Sequence, residues 1–156
     1  MDLRALPADT PAPAELTIEQ VDTEDTLKLW GQIFGAGFGF PDFIADAFYN
    51  FIASQGLAAD QPLRNYIGRL NGEAVGISSL FLGAGVAGIY NVATLPSAQR
   101  QGIGSAMTLY PLHEARLMGY RAAILQSSEA GVGVYRKLGF QEYCQLEQYM
   151  WPVPSE

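Results

Sequence analysis

The stretch "QRQGIGSAM", residues 99–107, places Gly102 and Gly104 two apart, where a loop of small and polar residues gives way to a helical pattern. Before it runs the apolar "AGIYNVATLP" (87–96), and after it "TLYPLHEARLMGY" (108–120). Glycine costs roughly 1 kcal/mol relative to alanine inside a helix, so a first turn this bare needs compensation. A helix N-terminus presents unpaired N–H groups and a partial positive charge, and glycines let an anion approach that backbone closely. The dinucleotide fingerprint does not fit, because Met107 stands where its third glycine belongs, and the Walker pattern is absent. Spacing alone leaves two readings: a tight strand-to-helix turn, or a phosphate cradle.

Working outward, "ELTIEQV" (15–21) alternates as a strand. "EDTLKLWGQIFGAGF" (24–38) has helical spacing, with Leu27, Trp30 and Phe34 on one side. "PDFIADAFYNFIASQG" (41–56) opens with proline, closes with glycine and repeats Phe43, Ala47 and Phe51 on a stripe, predicting a second helix. "LRNYIGRL" (63–70) and "EAVGISSLFLG" (73–83) flank Asn71-Gly72, a hairpin signal. "VAGIYNVATL" (86–95) makes a third consecutive strand. Then follow a long helix from about Gly102 to Met118, a buried strand "AAILQSS", a short helix "GVGVYRKLG" closed by Gly139, and a last strand "QEYCQLEQYMW" (141–151). The order β-α-α-β-β-β-α-β-α-β predicts an α+β fold, a sheet with helices on its faces. Pro111 should kink the long helix and reset the phase of Glu114, which an unbroken helix would turn onto the stripe of Ile103, Met107 and Tyr110.

With 156 residues, 49% of them hydrophobic and 16% charged, the chain reads as one globular domain. Residues 1–14, with Pro7, Pro11 and Pro13, read as a flexible leader without the character of a secretory signal. Residues 15–156 form the domain. The charge-free run from Ala74 to Gln99 contains Gly83, Gly85, Gly88, Asn91 and Pro96, so it reads as two buried strands and not as a membrane helix. A cytoplasmic protein with no membrane partner is the expectation. One cysteine, Cys144, and one histidine, His113, leave no basis for a disulfide or a Cys/His metal cluster. Residues 1–60 hold ten acids against two bases, whereas residues 61–156 hold six against seven. Such a chain lacks the basic footprint that nucleic acid requires.

"NVATLPSAQRQGIGSAM" followed by "AAILQSSEAGVGVYRKLGFQEY" resembles the GNAT superfamily of acyl-CoA-dependent N-acetyltransferases. The first piece is similar to the family's acyl-CoA motif, with Gln99, Gly102 and Gly104 in its Q/R-x-x-G-x-G/A. The second is similar to its next motif, with Tyr135, Gly139 and Phe140. Together they cover roughly residues 90–143, whereas residues 1–62 match only in element order. The resemblance implies a mixed, mostly antiparallel sheet flanked by helices. It implies that acetyl-CoA is bound by the N–H groups of Gln101, Gly102, Ile103, Gly104 and Ser105, with Arg100 adding charge. Val92, Ala93 and Thr94 would bond the pantetheine arm along a splayed strand edge, with the Val92 N–H as oxyanion donor. Tyr135 takes the place of the general acid that protonates the leaving thiolate, and Ser128 stands where many relatives have a pantetheine-binding asparagine. Homodimers are common in the family. No metal is implied.

The acceptor is expected to be the primary amine of a small molecule or peptide. The central strand offers no carboxylate as base, only Tyr90 and Asn91, so a water relay near them is the expectation. His113, Cys144, Arg136 and Lys137 read as structural or solvated, and Glu129 as a helix starter. The aromatic helices would supply core and an acceptor wall, and their acids could attract a cation. A non-catalytic acyl-CoA-binding module on the same fold is the alternative, favoured by the missing base and by Ser128. A purely structural α+β domain is a third reading.

Overall fold

A computed structural model describes residues 1–7, 12–58, 60–147 and 149. Its sheet has five strands in the order β1 (Leu16–Gln20), β2 (Leu63–Leu70), β3 (Glu73–Gly83), β4 (Val86–Thr94) and β5 (Ala122–Leu125). The first four are antiparallel neighbours, and only β4 and β5 run parallel. The two hairpin turns have left-handed pairs at Asn71-Gly72 and Ala84-Gly85, the conformation that matches the twist of adjoining strands. A parallel neighbour needs a crossover, and α3 (Ile103–Leu117) supplies it.

Helices α1 (Glu24–Phe38) and α2 (Asp42–Gln55) cover one face of the sheet through Leu27, Trp30, Ile33, Phe34 and Ile52, packed on Ile67, Ile77 and Ala93. A reciprocal Thr23–Thr26 capping box starts α1, and Gly39 in the left-handed region stops it. The opposite face is closed by α3, whose Ile103, Met107, Leu109 and Leu112 meet Tyr66, Leu80 and Ile89. Here α3 lies very close to the sheet: a Cβ at Gly68 would stand 2.6 Å from Met107 Sδ. The short α4 (Val132–Lys137) follows β5.

The α+β class and the mixed sheet agree with the sequence reading, but three expectations need correction. The last strand is absent from the described residues: 141–147 and 149 adopt no regular structure, and 148, 150 and 151 lie outside them. Tyr143 and Leu146 of that segment are 83% and 67% exposed, and Cys144 is exposed rather than buried. The outer edge of β5 is instead met by the chain's first residues. Leu3 N–H donates to the Arg121 carbonyl at 2.8 Å, and Ala123 N–H to that of Met1 at 2.9 Å. Residues 1–7 are therefore no loose leader, since Leu3 and Leu6 are buried in the α3-side core. Finally, the expected phase reset at Pro111 does not occur in α3, which runs from Ile103 to Leu117 as one helix. Glu114 keeps its inward phase because the buried Tyr66 hydroxyl donates to its carboxylate at 2.6 Å.

Candidate active site

The pairing of β4 with β5 runs only from Val86↔Ala122 to Ile89↔Leu125. On its other side, β4 stays paired with β3 as far as Gly76↔Thr94. Among the described residues, Tyr90 to Thr94 therefore have a free edge, and Val92, Ala93 and Thr94 lie along it. At the head of this gap, Asn91 has a φ of +52°, and the β3–β4 register shifts between Ile77 and Ser79. The strand is bulged there, which bends it and disrupts local pairing.

The glycine turn lies at the end of the same gap. Gly102 caps α3 with φ +83°, a conformation few side chains tolerate. Arg100 is also left-handed, at +62°. The Ala106 N–H is bonded to the Gly102 carbonyl at 3.1 Å, which leaves the N–H groups of Ile103, Gly104 and Ser105 in the unpaired first turn. Gly104 serves differently from Gly102. A Cβ there would meet only Thr94 Oγ1, at 3.8 Å, so the position is open space beside the end of β4. These residues fit a diphosphate: free donors, no side-chain cap and room for close approach. The Ile103 side chain is buried and holds the turn to the core.

Tyr135 joins this line through Thr108. The Thr108 hydroxyl donates to the Gly104 carbonyl at 2.8 Å and lies beside the Tyr135 phenol. Burial pushes that phenol above its ordinary 10, and the Thr108 hydroxyl offsets part of the rise. The ring is clamped from two other sides. Phe140 packs on it edge-on with centroids 6.0 Å apart, and a Cβ at Gly131 would stand 2.9 Å from both Tyr135 Cε2 and Ser127 Oγ. Ser127 spends its hydroxyl on the Ser128 carbonyl at 2.7 Å, whereas the Ser128 side chain stays exposed.

Other sequence candidates lie apart from this cluster. Arg136 is ion-paired with Glu142 at 2.5 Å. His113 contacts Arg116 at 3.2 Å, and burial with that guanidinium depresses its pKa below 6.5. Asp42 and Asp46 line a cleft of about 810 Å³ between α1 and α2, together with Lys28, Gln32 and Tyr49. That cleft includes none of the glycine-turn residues. Among the described residues, no group of three His, Cys, Asp or Glu side chains is placed to hold a metal ion, and no helix is long and apolar enough to cross a membrane.

Sequence reading missed several participants. Thr108 and Gly131 touch or crowd the Tyr135 ring, and Gly37 presses α1 onto β4: a Cβ there would lie 2.8 Å from that of Ala93. Asn65 and Ser79 form a buried polar chain with Asn91. Their signal was the appearance of uncharged polar residues in the inward-facing middle of mostly apolar strands.

A mixed five-stranded sheet opened between β4 and β5, with a glycine-capped helix at the gap, is the frame that the resemblance to the GNAT superfamily implied. The profile of the family described as "Acetyltransferase (GNAT) family" matches residues 24–140, and the chain belongs to that family. A mycothiol acetyltransferase from Thermomonospora curvata is 36% identical over 69 residues, which cover 42% of this chain and 23% of the relative. The chain thus matches less than a quarter of that relative's length. A "predicted acetyltransferase with acetyl-CoA" from Clostridium acetobutylicum superposes with a TM-score of 0.69, at 19% identity, over 86% of this chain and 96% of that one. The aminoglycoside N-acetyltransferase AAC(6')-Iy in complex with CoA gives 0.68 at 21% identity, over 92% and 99%.

Proposed function

We propose that the chain is an acetyl-CoA-dependent N-acetyltransferase that passes the acetyl group directly to a primary amine. The observation that carries this is the continuity of Thr94, Gly104, Thr108 and Tyr135, which brings the open edge of β4, the bare helix start and a protonated phenol into one line. In this reading the N–H groups of Gln101 to Ser105 hold the pyrophosphate and Arg100 adds charge. Val92 to Thr94 bond the pantetheine arm, and the Ser128 hydroxyl contacts it. The Val92 N–H stabilises the carbonyl oxygen as charge develops.

The amine nitrogen bonds to the thioester carbon, the C–S bond breaks, and the leaving thiolate takes the Tyr135 proton. The raised pKa keeps that proton in place at neutral pH. The amine's own proton leaves through water on the Tyr90–Asn91 side. A homodimer in the cytoplasm belongs to the same reading. The test is a screen of amine classes with acetyl-CoA, read by thiol release. Time-dependent thiol that requires an amine supports the proposal. A folded protein that binds coenzyme A but acetylates no amine would favour the second reading, an acyl-CoA-binding module. That reading draws support from β4, which carries no carboxylate.

A further inference from the structure

Asn65 on β2, Ser79 on β3 and Asn91 on β4 form a polar chain on the sheet face covered by α1 and α2. Ser79 Oγ donates to Asn65 Oδ1 at 2.6 Å, and Asn91 Nδ2 donates to Ser79 Oγ at 3.1 Å. Ser79 is fully buried and Asn65 nearly so. A serine hydroxyl carries one proton. Because that proton goes to Asn65, Ser79 can only accept from Asn91, and the asparagine amide is fixed with Nδ2 inward and Oδ1 outward. Among the described residues, no donor reaches Asn91 Oδ1, and the one sealed side-chain polar atom without a partner is Ser78 Oγ. Asn91 Oδ1 is therefore neither sealed nor bonded among the described residues. The backbone adds a second constraint, since asparagine is among the few residues at ease in the left-handed conformation found here.

The surroundings identify what would meet this oxygen. Asn91 stands just past Ile89, where β5 pairing ends, and two residues before Ala93, where Gly37 brings α1 onto the strand. Beyond Gly37, Phe38 packs on Phe34, which also contacts Phe40 and Phe48 with centroids 4.5–5.3 Å apart. Phe38 is 43% exposed and Phe48 38%, so the wall is half open.

We infer that Asn91 Oδ1 anchors the acceptor amine, receiving one N–H of a primary amine whose apolar body lies on the Phe38–Phe48 wall, with Ser79 and Asn65 as positioning residues. This rests on the acetyltransferase reading of the same cleft. A neutral oxygen suits the reaction better than a carboxylate would. A carboxylate favours the ammonium, whose lone pair is already protonated, whereas an amide oxygen orients the free amine and leaves its lone pair available for attack. The chain is not a proton relay, since the Ser79 proton points at the Asn65 amide oxygen, which has none to pass on.

The test has an arm that needs no catalysis. In ¹⁵N-labelled protein, with the side-chain amides assigned by Asn91→Asp and Asn65→Asp, the Asn91 Nδ2 protons should exchange slowly and be released by Ser79→Ala. Exchange as fast as at an exposed asparagine would mean the reverse orientation and overturn the inference, whatever the protein's activity. In protein saturated with coenzyme A, where no acetyl group can move, benzylamine should shift the Asn91 ¹³Cγ resonance saturably. A flat titration of folded protein overturns the anchor, even if another amine proves to be a substrate. In turnover, Asn91→Ala should raise the KM for benzylamine about tenfold or more, the size expected for one lost hydrogen bond to a polar partner. The KM for acetyl-CoA should stay within about threefold. Asn91→Asp keeps the backbone conformation and should lower the benzylamine KM while moving the kcat profile to higher pH, because the carboxylate holds the ammonium. Equal KM changes for both substrates, or an unmoved profile in Asn91→Asp, overturn it.

Discussion

The two sides of the cleft are built on opposite terms. The proposed coenzyme side, from β4 through α4, depends on side chains that are missing: Gly102 turns the chain, Gly104 leaves space beside Thr94, and Gly131 makes room for the Tyr135 ring. The proposed acceptor side depends on side chains that are present, the Asn65–Ser79–Asn91 chain and the phenylalanines of α1 and α2. Backbone can hold a cofactor shared by many enzymes with little sequence dependence beyond glycine. An individual acceptor has to be recognised by side chains. Adding atoms should therefore damage the coenzyme side, and removing them the acceptor side.

Tyr135→Phe breaks that rule, because on the coenzyme side it removes a single oxygen. Turnover should fall by about 10²–10⁴-fold, the range for a positioned acid, while acetyl-CoA affinity changes less than about tenfold. Steady-state rates beside calorimetry check both halves. Because burial raises the Tyr135 pKa, the alkaline loss of kcat that reports deprotonation of this acid should lie above pH 10 in the wild type, which a pH profile on stable protein would read. Gly131→Ala sharpens the comparison. The added methyl must displace the Tyr135 ring or Ser127, and a misplacement on the order of 1 Å can cost about 10²-fold in rate. Thr108 and Phe140 limit how far the ring can retreat.

Gly104→Val should weaken coenzyme A by about tenfold or more without unfolding the protein, since a Cβ at that position meets no backbone. Unchanged affinity in calorimetry would remove the glycine turn from the site. Ser128→Ala, a deletion on the same side, should alter affinity by less than about threefold. The smallest effect belongs to Ser78→Ala. Its hydroxyl is buried without a partner among the described residues, so its loss should leave stability within about 1 kcal/mol of wild type or raise it, as a denaturant titration would measure.

The same contrast explains what could be read from the sequence. Glycines at fixed spacing and the "YRKLGF" run are local signals, so the turn, α3, α4 and the identity of Tyr135 as a candidate were legible. The hairpins were legible too, because Asn71-Gly72 announces its own turn. The polar chain was not, since Asn65, Ser79 and Asn91 meet only through the register of three strands and a bulge. The final strand was expected from composition alone. Sequence pattern did not reveal that residues 1–3 would occupy the edge of β5, because the contact joins segments about 120 residues apart. Glu114 shows a related limit: its inward phase became tolerable through Tyr66, 48 positions away.

That docking of the first residues decides where the molecule can be handled. Met1 and Leu3 are laced to Arg121 and Ala123, and β5 leads within a few residues to the loop and helix that carry Tyr135. A fusion partner, affinity tag or surface tether attached at Met1 would pull first on the strand behind the proposed acid. Its load would reach the chemistry before it reached the rest of the sheet. A tether on the exposed segment at Tyr143 to Leu146 would load the same helix from the other direction, through the Glu142–Arg136 ion pair and through Phe140 against the Tyr135 ring. The exposed Asn71-Gly72 turn between β2 and β3 lies on neither segment and is the safer grip.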